Sequence, residues 1–255
     1  MIEYDSFIYL DVYRTGSTHV IALLGKIADE KRVRKLRHSS LTRGRPLGLD
    51  GGKLVFTTVR NPWDWYVSLW AHGAGGKSTI RKFLSLHLDA DELAHLYDRN
   101  DPATSFRRWL QLMHNPQFLE RVMKEYLPQS GLAPIIGLYS YRFLRVTTRF
   151  PRLLLRNVFV RNPQSAEAHL RRFGAYDIVL HTETLSTDLI TFVERNRGRC
   201  RFKPDAAEII RKADETPANA SRRSLGSYRD YYDEEGAALV ANRDRLFSDV
   251  FGYRY

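Results

Sequence analysis

The sequence predicts an α/β chain built on a parallel sheet, because twice in its first third a buried-strand pattern passes through a polar turn into an apolar helical stripe. Phe7-Ile8-Tyr9-Leu10-Asp11-Val12 is rich in β-branched and aromatic residues and ends at the turn-forming Thr15-Gly16-Ser17, so it reads as a buried strand. Val20, Leu23, Leu24 and Ile27 follow at helical spacing, with Ser17 or Thr18 as the N-cap. Leu54-Val55-Phe56-Thr57-Thr58-Val59 is the second strand. Asn61-Pro62 then opens a helix through Trp63, Val67 and Trp70 that the glycines from Gly73 to Gly76 end. Ligands of such a sheet sit at the carboxyl ends of its strands.

The remaining elements follow in order. Residues 30–52 are basic, broken by Pro46 and several glycines, and read as a surface connection containing His38. From Ser78 to Lys124 the pattern is helical, with breaks at Asn100-Asp101-Pro102 and Asn115-Pro116. Phe106, Trp109, Leu110 and Met113 form its apolar face. Ile135 to Val146 is aromatic-rich and reads as a strand or a cleft-lining loop. Tyr176 to Leu180 is a further strand and Thr184 to Val193 the helix after it, with later helices over Asp205 to Ala213 and Asp233 to Val250.

At 255 residues the chain suits one domain, residues 1–255, with residues 78–130 as a helical insertion on the acceptor side. Lys and Arg outnumber Asp and Glu by 40 to 29, a formal charge of +11, which favours an anionic partner without naming it. The single cysteine, Cys200, rules out an internal disulfide and a cysteine metal cluster and fits a reducing compartment. No apolar run approaches the roughly 18 residues of a membrane span, and the acidic start Met1-Ile2-Glu3-Tyr4-Asp5 is unlike a signal peptide; the expected location is cytoplasmic.

The turn Arg14-Thr15-Gly16-Ser17-Thr18 has the ingredients of an anion site: partnerless N–H groups at a helix start, the helix dipole, two hydroxyls and a full positive charge. It lacks the second glycine and the lysine of an ATP-cradling loop. Arg60, ending the second strand, and Ser68, two turns into the helix, extend the anion reading, since arginine pairs with phosphate through two donors.

Together, Phe7 through Thr18 and Phe56-Thr57-Thr58-Val59-Arg60-Asn61-Pro62-Trp63-Asp64-Trp65-Tyr66-Val67-Ser68 resemble the sulfotransferase family in its broad carbohydrate-type branch. Asp177 through Leu185 resembles that family's strand with a Glu-x-Leu ending, and Tyr231 through Tyr253 its C-terminal helix and aromatic turn. The resemblance implies a P-loop-like three-layer fold with a central parallel sheet flanked by helices. It also implies a 3′-phosphoadenosine 5′-phosphosulfate (PAPS) donor, the bisphosphate PAP as product, and no metal. Arg14, Thr15, Gly16, Ser17 and Thr18 would hold the 5′-phosphosulfate, Arg60 and Ser68 the 3′-phosphate. Asn219-Ala220-Ser221-Arg222-Arg223 resembles the late loop over the adenosine, which brings in Ser221 and Arg222. The chain departs from the family at Tyr13-Arg14, where Pro-Lys is common. Arg14 keeps the positive charge for the leaving oxygen in a planar form.

Sulfuryl transfer needs a base for the acceptor proton. His38 is the choice, in the polar connection between the two donor-binding units, with Glu30, Asp50, His19 and His72 as competitors. Glu183 is assigned to ordering the strand end. The implied acceptor is a hydroxyl of a saccharide or glycolipid. A phosphoryl transferase would need magnesium ligands and a P-loop lysine, and a nucleic-acid module a recognisable binding motif; neither is evident in the sequence.

Overall fold

A computed structural model describes residues 1–43, 51–76, 78–122, 131–155, 160–214 and 223–255. In chain order its elements are β1 (Ile2–Tyr4), β2 (Phe7–Leu10), α1 (Ser17–Ile27), β3 (Arg32–Lys35), β4 (Leu54–Val59), α2 (Pro62–Ala74), α3 (Thr79–Leu84), α4 (Ala90–Leu96) and α5 (Pro102–His114). There follow α6 (Pro116–Val122), α7 (Leu138–Thr147), α8 (Pro151–Leu155), α9 (Pro163–Phe173), β5 (Ile178–His181), α10 (Leu185–Arg195), α11 (Ala206–Asp214), α12 (Glu234–Arg243) and α13 (Arg245–Phe251).

The chain divides into two compact units. The first comprises residues 1–60, 142–151 and 172–220, the second residues 61–141, 152–171 and 221–255. All five strands lie in the first, in the order β3-β1-β2-β4-β5. β2 pairs parallel with β4, and β4 with β5, whereas β1 is antiparallel to both β2 and β3. The expected P-loop-like three-layer fold with a central parallel sheet is therefore not the fold of this chain. Among the described residues the sheet is small, mixed and open, and the greater part is helical, at 56%. The cause is local: only Asp5 and Ser6 join β1 to β2, and two residues allow a hairpin but no crossover.

β2 and β4 are buried along their whole length, which is why each reads as a continuous apolar run rather than an alternation. On one face Phe7, Tyr9 and Phe56 pack with Val20, Leu24 and Ile27 of α1, Phe192 of α10 and Ile210 of α11. β1 and β3 are the missed strands: β1 has three residues, and Arg32-Val33-Arg34-Lys35 is an exposed edge with no apolar face to reveal it.

In the second unit the core is aromatic. Trp65 stacks on Tyr139 at 4.5 Å and Tyr139 on Phe247 at 3.8 Å. The indole N–H groups of Trp63, Trp70 and Trp109 donate to Ala237 O, Leu96 O and Tyr97 Oη, so these large rings bury no unpaired donor. Ile135 to Val146, read as strand or loop, is largely the helix α7. Leu138 through Leu144 are all buried and only Arg145 of the helix is exposed, so burial on nearly every side hides the helical period. The expected single helix over Asp233 to Val250 breaks at Asp244, which is buried.

Candidate functional site

Because β1 is antiparallel to both its neighbours, β3 runs the same way as β2, β4 and β5. Four strands thus release their chains at one edge of the first unit: Leu36 to Ser39 after β3, Asp11 to Gly16 after β2, Arg60 after β4, and Thr182 to Thr184 after β5. Hydrogen bonds tie these segments together. Arg60 Nη1 donates to Arg14 O at 3.1 Å, Thr182 Oγ1 to Val59 O at 2.7 Å, and His38 N to an Asp11 carboxylate oxygen at 3.0 Å.

The turn alternates in hand. Arg14 has φ +61° and Gly16 φ +73°, with Thr15 between them at negative φ and the helical Ser17 after. Such alternation turns successive N–H groups into one concavity, a nest for an anion. Gly16, rather than Ser17 or Thr18, is the N-cap of α1. It gives no side-chain cap, and the first turn carries no acid, so no carboxylate of that turn offsets the positive dipole end.

The hydroxyls at the turn serve different ends. Thr15 is fully buried; its hydroxyl donates to Val12 O at 3.0 Å and meets Thr58 Oγ1 at 2.7 Å, which in turn bonds Tyr9 Oη at 2.8 Å. This chain of hydroxyls pins the turn to β4. Ser17, 5% exposed, accepts from Arg37 Nη2 at 3.3 Å, while Thr18 is exposed. Arg14 and Arg60 are both half-buried, and Arg60 brings its guanidinium to the carbonyl of Arg14 at the turn.

His38 has φ +52° and is held by Asp11 twice more: Nδ1 lies 2.9 Å from Asp11 O and 3.4 Å from a carboxylate oxygen. A carbonyl only accepts, so Nδ1 carries the hydrogen and Nε2 the lone pair. Burial pushes the imidazole below its usual 6.5, Asp11 partly restores it, and Arg37 lowers it again. The net direction favours the neutral ring, the state a base requires.

The other candidates fall elsewhere. Ser68 lies in α2, in the second unit, with its side chain fully buried. Ser221 and Arg222 lie outside the described residues, as does Asp50; their neighbour Arg223 pairs with Asp64 at 2.6 Å in the second unit. Glu30 accepts from Ser6, at the opposite, amino end of β2. His19 is half-exposed in the first turn of α1, and His72 belongs to α2 in the second unit. Glu183 is exposed in the turn after β5.

Sequence reasoning missed Asp11 and Arg37, which build the His38 site. Asp11 had a signal: an acid inside an apolar strand run must be paired once buried, and it is 0% exposed with Arg37 Nε at 2.6 Å. The edge can hold a multiply charged anion while presenting a neutral imidazole beside it. Among the described residues no group of three or more His, Cys, Asp or Glu is arranged to hold a metal ion, and no helix is long and apolar enough to cross a membrane. Comparison with protein-family models, with curated proteins and with solved structures finds no match to this chain.

Proposed function

We propose that this chain is a sulfotransferase that moves a sulfuryl group from PAPS to an acceptor hydroxyl, and that His38 is its base. One observation carries the reading: a nest at Arg14 to Ser17, flanked by Arg14 and Arg60, shares one strand edge with an imidazole held neutral. In the proposed reaction the nest and Arg14 hold the 5′-phosphosulfate, and Arg60 takes the 3′-phosphate.

The acceptor oxygen attacks sulfur in line. Its bond to sulfur forms as the bond from sulfur to the 5′-phosphate oxygen breaks, and the acceptor proton passes to His38 Nε2. Negative charge builds on the leaving phosphate, where aligned N–H groups and Arg14 stabilise it at little reorganisation cost. The products are a sulfate ester and PAP. The acceptor is a hydroxyl of a saccharide or glycolipid, and the single cysteine favours the cytoplasm as the place of reaction.

Ligand-linked stabilisation tests the donor: PAP raises the melting temperature, and ATP with magnesium or an oligonucleotide does so less. A preference for ATP, or an Arg60→Ala chain that responds to PAP as the native one does, overturns the reading. His38→Ala leaves PAP binding near native and slows transfer by about 10²- to 10⁴-fold; unchanged turnover assigns the base elsewhere.

A further inference from the structure

The His38 imidazole is held by more than Asp11. Its ring stacks on Tyr13, with centroids 3.6 Å apart and planes at 22°. Over the same tyrosine ring lies the guanidinium of Arg142, its central carbon 4.6 Å from the centroid, on a side chain only 4% exposed. Arg142 comes from the part of α7 that belongs to the first unit, more than a hundred residues along the chain from both rings.

The turn does not depend on this stack for its own shape. Its hydroxyl chain runs from Val12 O through Thr15 and Thr58 to Tyr9, on the interior side. What does depend on an external hold is His38, a β-carbon-bearing residue at φ +52°, a conformation that costs about 1 kcal/mol and persists only where the surroundings over-determine it. Asp11 fixes its backbone N–H and its Nδ1. Neither bond fixes the plane of the imidazole; a parallel aromatic ring does.

We infer that Tyr13 and Arg142 are positioning residues for His38: the tyrosine ring sets the imidazole plane with Nδ1 on the Asp11 carbonyl, and the buried guanidinium holds the tyrosine and opposes a second positive charge on the stack. The charges around the imidazole agree. The Asp11 carboxylate is already shared by the Met1 amino group at 2.7 Å and Arg37 Nε at 2.6 Å. Arg37 Nη2 donates to His38 Nε2 at 3.4 Å, a bond that protonating Nε2 would break, and Arg142 approaches through Tyr13. The Asp11 carboxylate therefore already faces two cations, and a protonated His38 would be a third. An imidazolium stacked on tyrosine is ordinarily favoured by the ring's negative face; here a guanidinium competes for that same ring.

The inference rests on His38 as the base of the proposed transfer, but its test does not. The experiment is an NMR titration of the His38 ring, with ¹⁵N shifts to read the tautomer, in the ligand-free chain and in four variants. The native midpoint falls below 6.5, with the hydrogen on Nδ1. Tyr13→Phe keeps both, because the ring remains. Arg142→Met raises the midpoint by about half a pH unit or more, and Tyr13→Leu mixes the tautomers. Arg142→Lys, which keeps a cation at the ring, stays nearer native than Arg142→Met. If Arg142→Met does not fold, Tyr13→Leu decides alone, since Tyr13 is half-exposed. A native midpoint at or above 6.5, or Tyr13→Leu matching native in tautomer, overturns the inference. Failure of the donor reading shows separately, as absent stabilisation by PAP.

Discussion

At Gly16 a methyl group would meet Leu185 Cδ2 at 3.2 Å, in a backbone conformation of φ +73° that side chains rarely adopt. Gly16→Ala therefore has two penalties, strain of about 1 to 2 kcal/mol and a distorted nest, and we expect a lower melting temperature together with roughly tenfold weaker PAP binding by calorimetry. Gly25, in the same helix with nothing within 4 Å of its added methyl, is the control: Gly25→Ala raises stability by about 0.5 to 1 kcal/mol and leaves PAP binding unchanged. His38 carries a prediction in pH. Burial holds its imidazole below 6.5, so the neutral form persists into more acidic solution than for an ordinary histidine. The acid limb of kcat/KM then falls below pH 6.5, and a limb above that value removes His38 from the base role. The same sign holds for folding: a depressed imidazole contributes stability above 6.5 that is lost as pH falls.

Among the elements, those that stated both a buried run and a turn signal were legible. β4 is the stretch read from the sequence, and α2 opens as Asn61-Pro62 announces, with Asn61 Oδ1 accepting from Trp63 N at 3.0 Å and Asp64 N at 3.2 Å. Asn61→Ala removes that cap at a cost of about 1 kcal/mol, measurable by denaturant unfolding; a neutral result would show that Pro62 alone suffices to start the helix. β1 and β3 were not legible, and they are what made the sheet mixed. β1 has three residues, too few to show a period, and the four of β3 are exposed or half-exposed. The strand direction that brings Arg37 and His38 beside Asp11 follows from those two elements. The turn at Gly16 could be read from its sequence; its partners could not, because Arg37 arrives from an edge strand and Arg142 from a helix buried on nearly every side.

At the scale of the whole molecule, the second unit contains two opposed titrations joined by one phenol. Tyr66 Oη donates to Asp244 at 2.6 Å, and its ring lies 4.9 Å from that of His114. Burial raises Asp244 to about 6 and lowers His114 to about 4. A raised carboxyl contributes stability that is present below its ordinary value near 3.8 and lost as pH rises through 6. A depressed imidazole contributes stability that is present above 6.5 and lost as pH falls through 4. Each shift of about two units is worth about 3 kcal/mol, so the two nearly cancel and these groups leave stability almost flat between pH 4 and 6.5. Single replacements unmask the slopes. His114→Gln gives a chain that loses stability as pH rises from 4 to 6, and Asp244→Asn one that loses it as pH falls below 6.5; parallel curves for both variants would refute the pairing. Cys200 offers a clock for the other half of the chain. It is 1% exposed in the core between the sheet and its helices, and the chain has no other thiol. A thiol reagent can react there only when the first unit opens, so the labelling rate at fixed reagent measures the free energy of that opening with no engineered probe. An anion seated at the strand edge slows the clock in proportion to its binding, and PAP, sulfate and ATP can be ranked on the unmodified chain by how far each delays one chemical event.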